Sequence, residues 1–228
     1  MSQAELILAL DVSGADPARR LLDRLPDVRW VKIGSILMTR EGPGLVRELV
    51  ERGLLVFLDL KWHDIPNTVR EAVEAARELR VAMATVHTLG GPEMMAAAAE
   101  AAGDHLAVVG VTVLTSHTPA TYGSAVGRPV PDLAMEVVRQ ARNAISAGLH
   151  GLVCSPHEAA VVHAAVGAGP RIVVPGIRRP EDARDDQSRS AGPAEAVQSG
   201  ATHLVVGRPV LRAADPGRVW DSLVAALR

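Results

Sequence analysis

The strongest constraint in this sequence is an alternation. Short runs rich in Val, Leu, Ile and Ala recur eight times in 228 residues, separated by amphipathic segments rich in Ala, Leu, Glu and Arg. Strands are predicted at about Leu6–Leu10, Trp30–Ile33, Leu54–Lys61, Ala82–His87, Leu106–Leu114, Gly151–Ser155, Ile172–Pro175 and His203–Val206. Most of these runs are apolar throughout, as expected of strands buried on both faces of a parallel sheet. Helices are predicted over Asp16–Leu25, Gly42–Arg52, Asn67–Arg80, Pro92–Ala102, Pro131–Ala147, Pro156–Ala165, Pro193–Ser199 and Asp215–Leu227. Several open with Pro and stop at Gly53, Gly103, Gly148 or Gly200, the usual asymmetry of helix ends. Eight strand–helix units with no spare block and no linker predict an α/β fold, a closed (β/α)8 TIM barrel forming a single domain over residues 1–228. The alternative is a doubly wound open sheet. That fold usually carries a Gly-rich dinucleotide turn after its first strand, and Asp11-Val12-Ser13-Gly14 lacks the G-x-G-x-x-G spacing.

Composition excludes several function classes. Lys plus Arg is 24 and Asp plus Glu is 26, a net charge of −2, which argues against a nucleic-acid partner held by counterion release. Aromatic residues make up 2%, too few for a stacking platform on single strands. The one cysteine, Cys154, excludes an internal disulfide and a multi-Cys metal site, and reads as a small core residue. The eight histidines show neither H-x-H nor H-E-x-x-H spacing, so no metal is expected. The first apolar run, Leu6–Leu10, is too short and wrongly flanked for a signal peptide, and no stretch approaches the roughly 18 apolar residues of a membrane span. A cytoplasmic location with no membrane partner is expected.

Catalytic groups of such barrels sit at the C-terminal ends of the strands. Polar residues fall there repeatedly: Asp11, Lys32, Asp59 and Lys61, His87, Thr115 and Ser116, Gly176, and Gly207-Arg208. In a strand, residues i and i+2 share a face, so Asp59 and Lys61 point the same way as Phe57 below them. A structural ion pair plugging the barrel top would explain an isolated Asp/Lys pair, because a buried charge needs a partner. Asp11, Asp64 and Lys32 enlarge the group to three carboxylates and two lysines, a pattern suited to proton transfer and electrostatic catalysis. Thr115-Ser116 reads either as a turn or cap, or as hydroxyls for an amide-bearing ring. His63 and His87 read as hydrogen-bonded structural residues or as site-lining ones. Residues 176–190 read as a solvated loop or as a lid, with Arg178, Gln187, Arg208 and the Gly207 N–H available to grip a phosphate.

The segment DLKWHDIPNT, Asp59–Thr68, closely resembles the signature of the orotidine 5'-phosphate decarboxylase family, whose core is D-x-K-x-x-D-I-P. ALD at Ala9–Asp11, VKIG at Val31–Gly34, VTVLTS at Val111–Ser116, PGIR at Pro175–Arg178, DDQ at Asp185–Gln187 and VGRP at Val206–Pro209 resemble further family blocks in the family order. Related phosphosugar decarboxylases and aldolases share D-x-K-x-x-D, whereas its combination with I-P-N-T, L-T-S and the Gln/Arg pair is highly specific. The resemblance implies a homodimeric barrel that converts orotidine 5'-monophosphate to UMP and carbon dioxide, the last step of de novo pyrimidine nucleotide synthesis, with no cofactor. It implies Lys61 as proton donor to carbon 6, Asp59 against the departing carboxylate, and Lys32 completing the charged row and binding the ribose. Asp11 would hold ribose. Asp64, with Thr68, would serve the partner chain's site, and Ile65 would contact the substrate. Thr115 and Ser116 would meet the pyrimidine, and Arg178, Gln187, Gly207 and Arg208 the phosphate. Departures such as Trp62 for Phe, Val174 for Thr and Arg179 for Pro touch packing and the lid, not the charged row. The competing expectations are a magnesium-dependent 3-keto-sugar-phosphate decarboxylase of the same suprafamily and a non-catalytic nucleotide-binding barrel.

Overall fold

The computed structural model describes residues 4–179, 182 and 190–227. Its strands are β1 (Glu5–Ala9), β2 (Trp30–Gly34), β3 (Leu55–Trp62), β4 (Met83–His87), β5 (Ala107–Val111), β6 (Gly151–Val153), β7 (Arg171–Pro175) and β8 (His203–Val206). They pair in parallel in chain order, and β8 returns to β1 to close the barrel. Around it lie α1 (Ala15–Asp23), α2 (Ser35–Glu51), α3 (Pro66–Glu78), α4 (Gly91–Ala102), α5 (Pro119–Val126), α6 (Leu133–Ser146), α7 (Pro156–Val166), α8 (Pro193–Gln198), α9 (Arg208–Leu211) and α10 (Pro216–Ala225). Among the described residues, no helix is long and apolar enough to cross a membrane.

All eight strands stand where the apolar runs predict them. Three helical stretches do not follow from periodicity. α2 begins at Ser35 instead of Gly42, because two helices meet at Gly42, whose φ of 66° and ψ of −165° break the path. The Gly42-Pro43 pair therefore looks like a helix start although a turn of helix precedes it. α5 is held by its cap: the Thr118 hydroxyl accepts from the Thr121 N–H at 3.3 Å, and the Thr121 hydroxyl accepts from the Thr118 N–H at 2.9 Å. The short α9 follows Gly207 directly. The fifth strand stops at Val111 instead of Leu114, and just beyond it Thr112 gives both its N–H and its hydroxyl to the Val153 carbonyl, at 3.2 and 2.9 Å.

Two apolar layers form. The larger lies between barrel and helices. The smaller fills the barrel itself with Ile7, Ala9, Trp30, Phe57, Met83, Ala107, Val109, Val173 and Val205. Moving two residues along each strand from this plug reaches Asp11, Lys32, Asp59 and Thr85, by the period-2 rule. The packed interior is thus the floor on which a polar layer stands.

At the opposite end, His203 is buried edge-on against Trp30, ring centroids 5.4 Å apart. Burial, and then the nearby Arg171 guanidinium, pushes its imidazole down to about 4 from an ordinary 6.5. The unfolded chain therefore takes up this proton first. The stabilisation is complete above about pH 6.5 and is lost as pH falls toward 4. His203→Gln is expected to remove about 2 kcal/mol of the stability lost between pH 7 and 4.5, read from urea midpoints. An equal loss in both proteins would place the titration elsewhere.

Candidate active site

A cavity of about 700 Å³ opens at the C-terminal ends of the strands, a size suited to a small-molecule ligand. Asp11, Lys32, Asp59 and Lys61 line one side of it, and Thr115, Arg178, Gly207 and Arg208 also border it. The four charged groups form a continuous row. Lys32 Nζ lies 3.1 Å from Asp11 Oδ1 and 3.6 Å from Asp59 Oδ2, and Lys61 Nζ lies 2.8 Å from Asp59 Oδ1. Signs alternate along the row, so each like-charged pair is separated by an opposite charge. The Asp59 and Lys32 side chains retain 13% of their surface and Lys61 38%, which leaves the Lys61 ammonium the more accessible of the two cations.

Burial alone would push the Asp59 carboxyl upward. The charges of Lys32 and Lys61, with hydrogen bonds from Lys61 and Thr85, outweigh burial and hold it below its ordinary value. Asp59 is therefore a fixed anion at neutral pH. His87 ends β4 beside this row and stacks on His63, centroids 5.6 Å apart. Burial first, then the charges of His63, Lys61 and His117, push the His87 imidazole down to about 4, and its Nδ1 accepts the Leu89 N–H at 3.3 Å. His87 is thus neutral at pH 7 and fixes the start of the turn after β4.

The other expected residues divide into three groups. Arg178, Gly207 and Arg208 gather at the ends of β7 and β8, as expected for a grip opposite the charged row. A Cβ on Gly207 would lie 3.3 Å from that of Ala9, a tight contact that would push the end of β8 slightly away from β1. Asp64, Ile65 and Thr68 are exposed and do not line the cavity within one chain, and Ser116 lies exposed in the turn beyond Thr115. Gln187, and most of the stretch read as a lid, lie outside the described residues. The two ends of that stretch meet through an isolated bridge, Ile177 to Ala191, with the Arg178 N–H donating to the Ala191 carbonyl at 3.0 Å. Among the described residues, no three His, Cys, Asp or Glu side chains gather as a metal site.

Thr85 was not singled out by the sequence, although alternation from Met83 already turns it inward. Its hydroxyl donates to Asp59 Oδ1 at 3.1 Å and accepts the Lys61 backbone N–H at 2.8 Å.

Comparison with known proteins agrees with this geometry. A family model described as orotidine 5'-phosphate decarboxylase / HUMPS family matches residues 4–223. The chain belongs to the orotidine 5'-phosphate decarboxylase / HUMPS family. The match to the orotidine 5'-phosphate decarboxylase / HUMPS model takes in all eight strands and every candidate residue from Asp11 to Arg208. The chain is 48% identical over 228 residues to an orotidine 5'-phosphate decarboxylase of Opitutus terrae, covering 98% of each protein. It is 51% identical over 220 residues to one of Alkalilimnicola ehrlichii, covering 95% of this chain and 93% of the relative. Among solved structures, the orotidine 5'-phosphate decarboxylase of Lactobacillus acidophilus superposes with a TM-score of 0.88 at 32% identity over 99% of both chains. An uncharacterized conserved protein of Geobacillus kaustophilus superposes with 0.84 at 33% identity, covering 98% and 100%.

Proposed function

We propose that the protein decarboxylates orotidine 5'-monophosphate to UMP and carbon dioxide, the closing step of de novo pyrimidine nucleotide synthesis, without metal or organic cofactor. The observation that carries this reading is the alternating row Asp11–Lys32–Asp59–Lys61 on the wall of a nucleotide-sized cavity. Breaking the bond between carbon 6 and the carboxylate leaves its electron pair in an orbital that does not conjugate with the ring. Carbon dioxide departs neutral, and the Lys61 ammonium both stabilises the pair and delivers the proton that converts it to a C–H bond. The ionised Asp59 faces the substrate carboxylate and orients Lys61 through the 2.8 Å contact. Lys32 and Asp11 hold the ribose, Thr115 and Ser116 the pyrimidine edge, and Arg178, Gln187, Gly207 and Arg208 the phosphate.

The magnesium-dependent alternative needs a carboxylate free to ligate. Both Asp59 oxygens already face ammonium groups, which speaks against Asp59 as a metal ligand. A spectrophotometric assay with orotidine 5'-monophosphate tests the choice. Turnover is expected to be unchanged by excess chelator. Loss with chelator and recovery with magnesium would support the rival.

Arg208→Ala is expected to raise KM by about 10- to 100-fold, the scale of a lost charge-assisted phosphate contact, while Lys61 chemistry persists. Unchanged KM and kcat/KM would place the phosphate elsewhere.

The working unit in this reading is a homodimer in which Asp64, Ile65 and Thr68 complete the neighbouring site. Its support is a run of exposed large hydrophobic residues following four consecutive strands. Ile36 follows β2, Ile65 follows β3, Leu89 follows β4 and Leu114 follows β5, on the same barrel end as Asp64 and Thr68. Exposed apolar side chains gathered at one end of the barrel suit an interaction face there.

A further inference from the structure

The row depends on an irregularity in β3 that regular strand geometry would not produce. Leu58 pairs with Ala84 and Trp62 with Val86, so four steps along β3 match two along β4. Asp59, Leu60 and Lys61 therefore all stand against the single residue Thr85. Inside this bulge Lys61 takes a φ of 53°, the left-handed region that a residue with a long side chain rarely adopts. Such a conformation persists only where its surroundings hold it.

Thr85 supplies that hold. It is fully buried. Its one hydroxyl accepts the Lys61 backbone N–H at 2.8 Å and donates to Asp59 Oδ1 at 3.1 Å. The same Asp59 oxygen receives the Lys61 ammonium at 2.8 Å. Backbone amide, hydroxyl, carboxylate and ammonium thus close a ring that begins and ends on Lys61. Threonine is β-branched, so its side-chain rotamer is stiff and its hydroxyl direction is well defined.

We propose that Thr85 is a positioning residue for the reaction: its hydroxyl pins the bulge and so fixes the Lys61 ammonium on Asp59, facing the cavity. This rests on the decarboxylase reading for its kinetic consequence, whereas the clamp itself is a property of the substrate-free protein. Valine has the shape of threonine without the hydroxyl. Thr85→Val is therefore expected to leave Lys61 chemically intact but poorly placed.

The test compares wild type with Thr85→Val and Thr85→Ser in kcat, KM and a carbon-13 NMR titration of the Asp59 carboxyl without substrate. Thr85→Val is expected to lower kcat about 10- to 100-fold, the scale of a small misplacement of a reacting group, with KM within about threefold. The Asp59 titration should move upward in the same variant. Thr85→Ser should return kcat to within about threefold and restore the titration, because the hydroxyl is back. Thr85→Ala removes the same hydroxyl without its neighbouring bulk and takes the place of the valine variant if that one fails to fold.

A kcat for Thr85→Val within twofold of wild type would overturn the proposal. So would an unmoved Asp59 titration, or a serine variant as impaired as the valine one. If wild type fails to turn over orotidine 5'-monophosphate while the titration still responds to the hydroxyl, the substrate assignment falls and the clamp stands.

Discussion

Replacing Lys61 with alanine is expected to lower kcat for orotidine 5'-monophosphate by about four orders of magnitude or more, which is upwards of about 5 kcal/mol of barrier. Two contributions are lost together. In the proposed mechanism, the cation that stabilises the carbon 6 electron pair disappears, and so does the proton that quenches it. Nothing nearby substitutes. Lys32 stays bound between Asp11 and Asp59, and His87 is neutral at working pH. The cavity and the Arg178, Gly207 and Arg208 side of it are untouched, so UMP affinity should remain within about tenfold of wild type. Single-turnover kinetics and UMP titration give the two readings. Near-normal turnover would reject Lys61 as proton donor. A wild-type protein that binds UMP and never turns over would support the non-catalytic barrel instead.

The second large effect concerns sharing between chains. Asp64→Ala and Lys61→Ala homodimers should each be nearly inactive. When equal amounts are mixed and allowed to exchange, half the dimers are hybrids. With the proposed sharing, one site of each hybrid receives both defects and the other receives Lys61 from one chain and Asp64 from its partner. Recovery to about a quarter of wild-type activity is expected from this isologous arrangement. Activity that stays at the level of the parent mutants would make Asp64 a same-chain residue. The exposure of Asp64, Ile65 and Thr68 makes the experiment worthwhile, since a single chain gives them no part in lining the cavity.

Much of the fold was legible because it rests on local pattern. A strand buried on both faces has to be apolar throughout, and β8 over His203–Val206 coincides with its apolar run. α5 was illegible for the complementary reason. It is eight residues long and carries Gly123, and it is held by a reciprocal Thr118–Thr121 cap and by burial of Tyr122. In the site, Asp59 and Lys61 were expected to meet through simple alternation, and they do meet at 2.8 Å. The route differs: Lys61 lies in a bulge with positive φ, so i and i+2 are not equivalent places on a regular strand. Thr85 carried only a weak signal, one hydroxyl in an apolar strand, and its importance depends on what β3 does opposite it.

The chain's own order of residues therefore determined the eight-fold alternation, the end of the barrel at which polar groups collect, and the identities of the charged side chains. These follow from periodicities of two and 3.6 residues, which each segment expresses without reference to its neighbours. The tertiary structure decided which carboxylate faces which ammonium, how β3 bulges against Thr85, and why Asp59 is held ionised despite burial. Those outcomes require strands far apart in sequence to lie side by side in one register, and closure of β8 onto β1 sets that register.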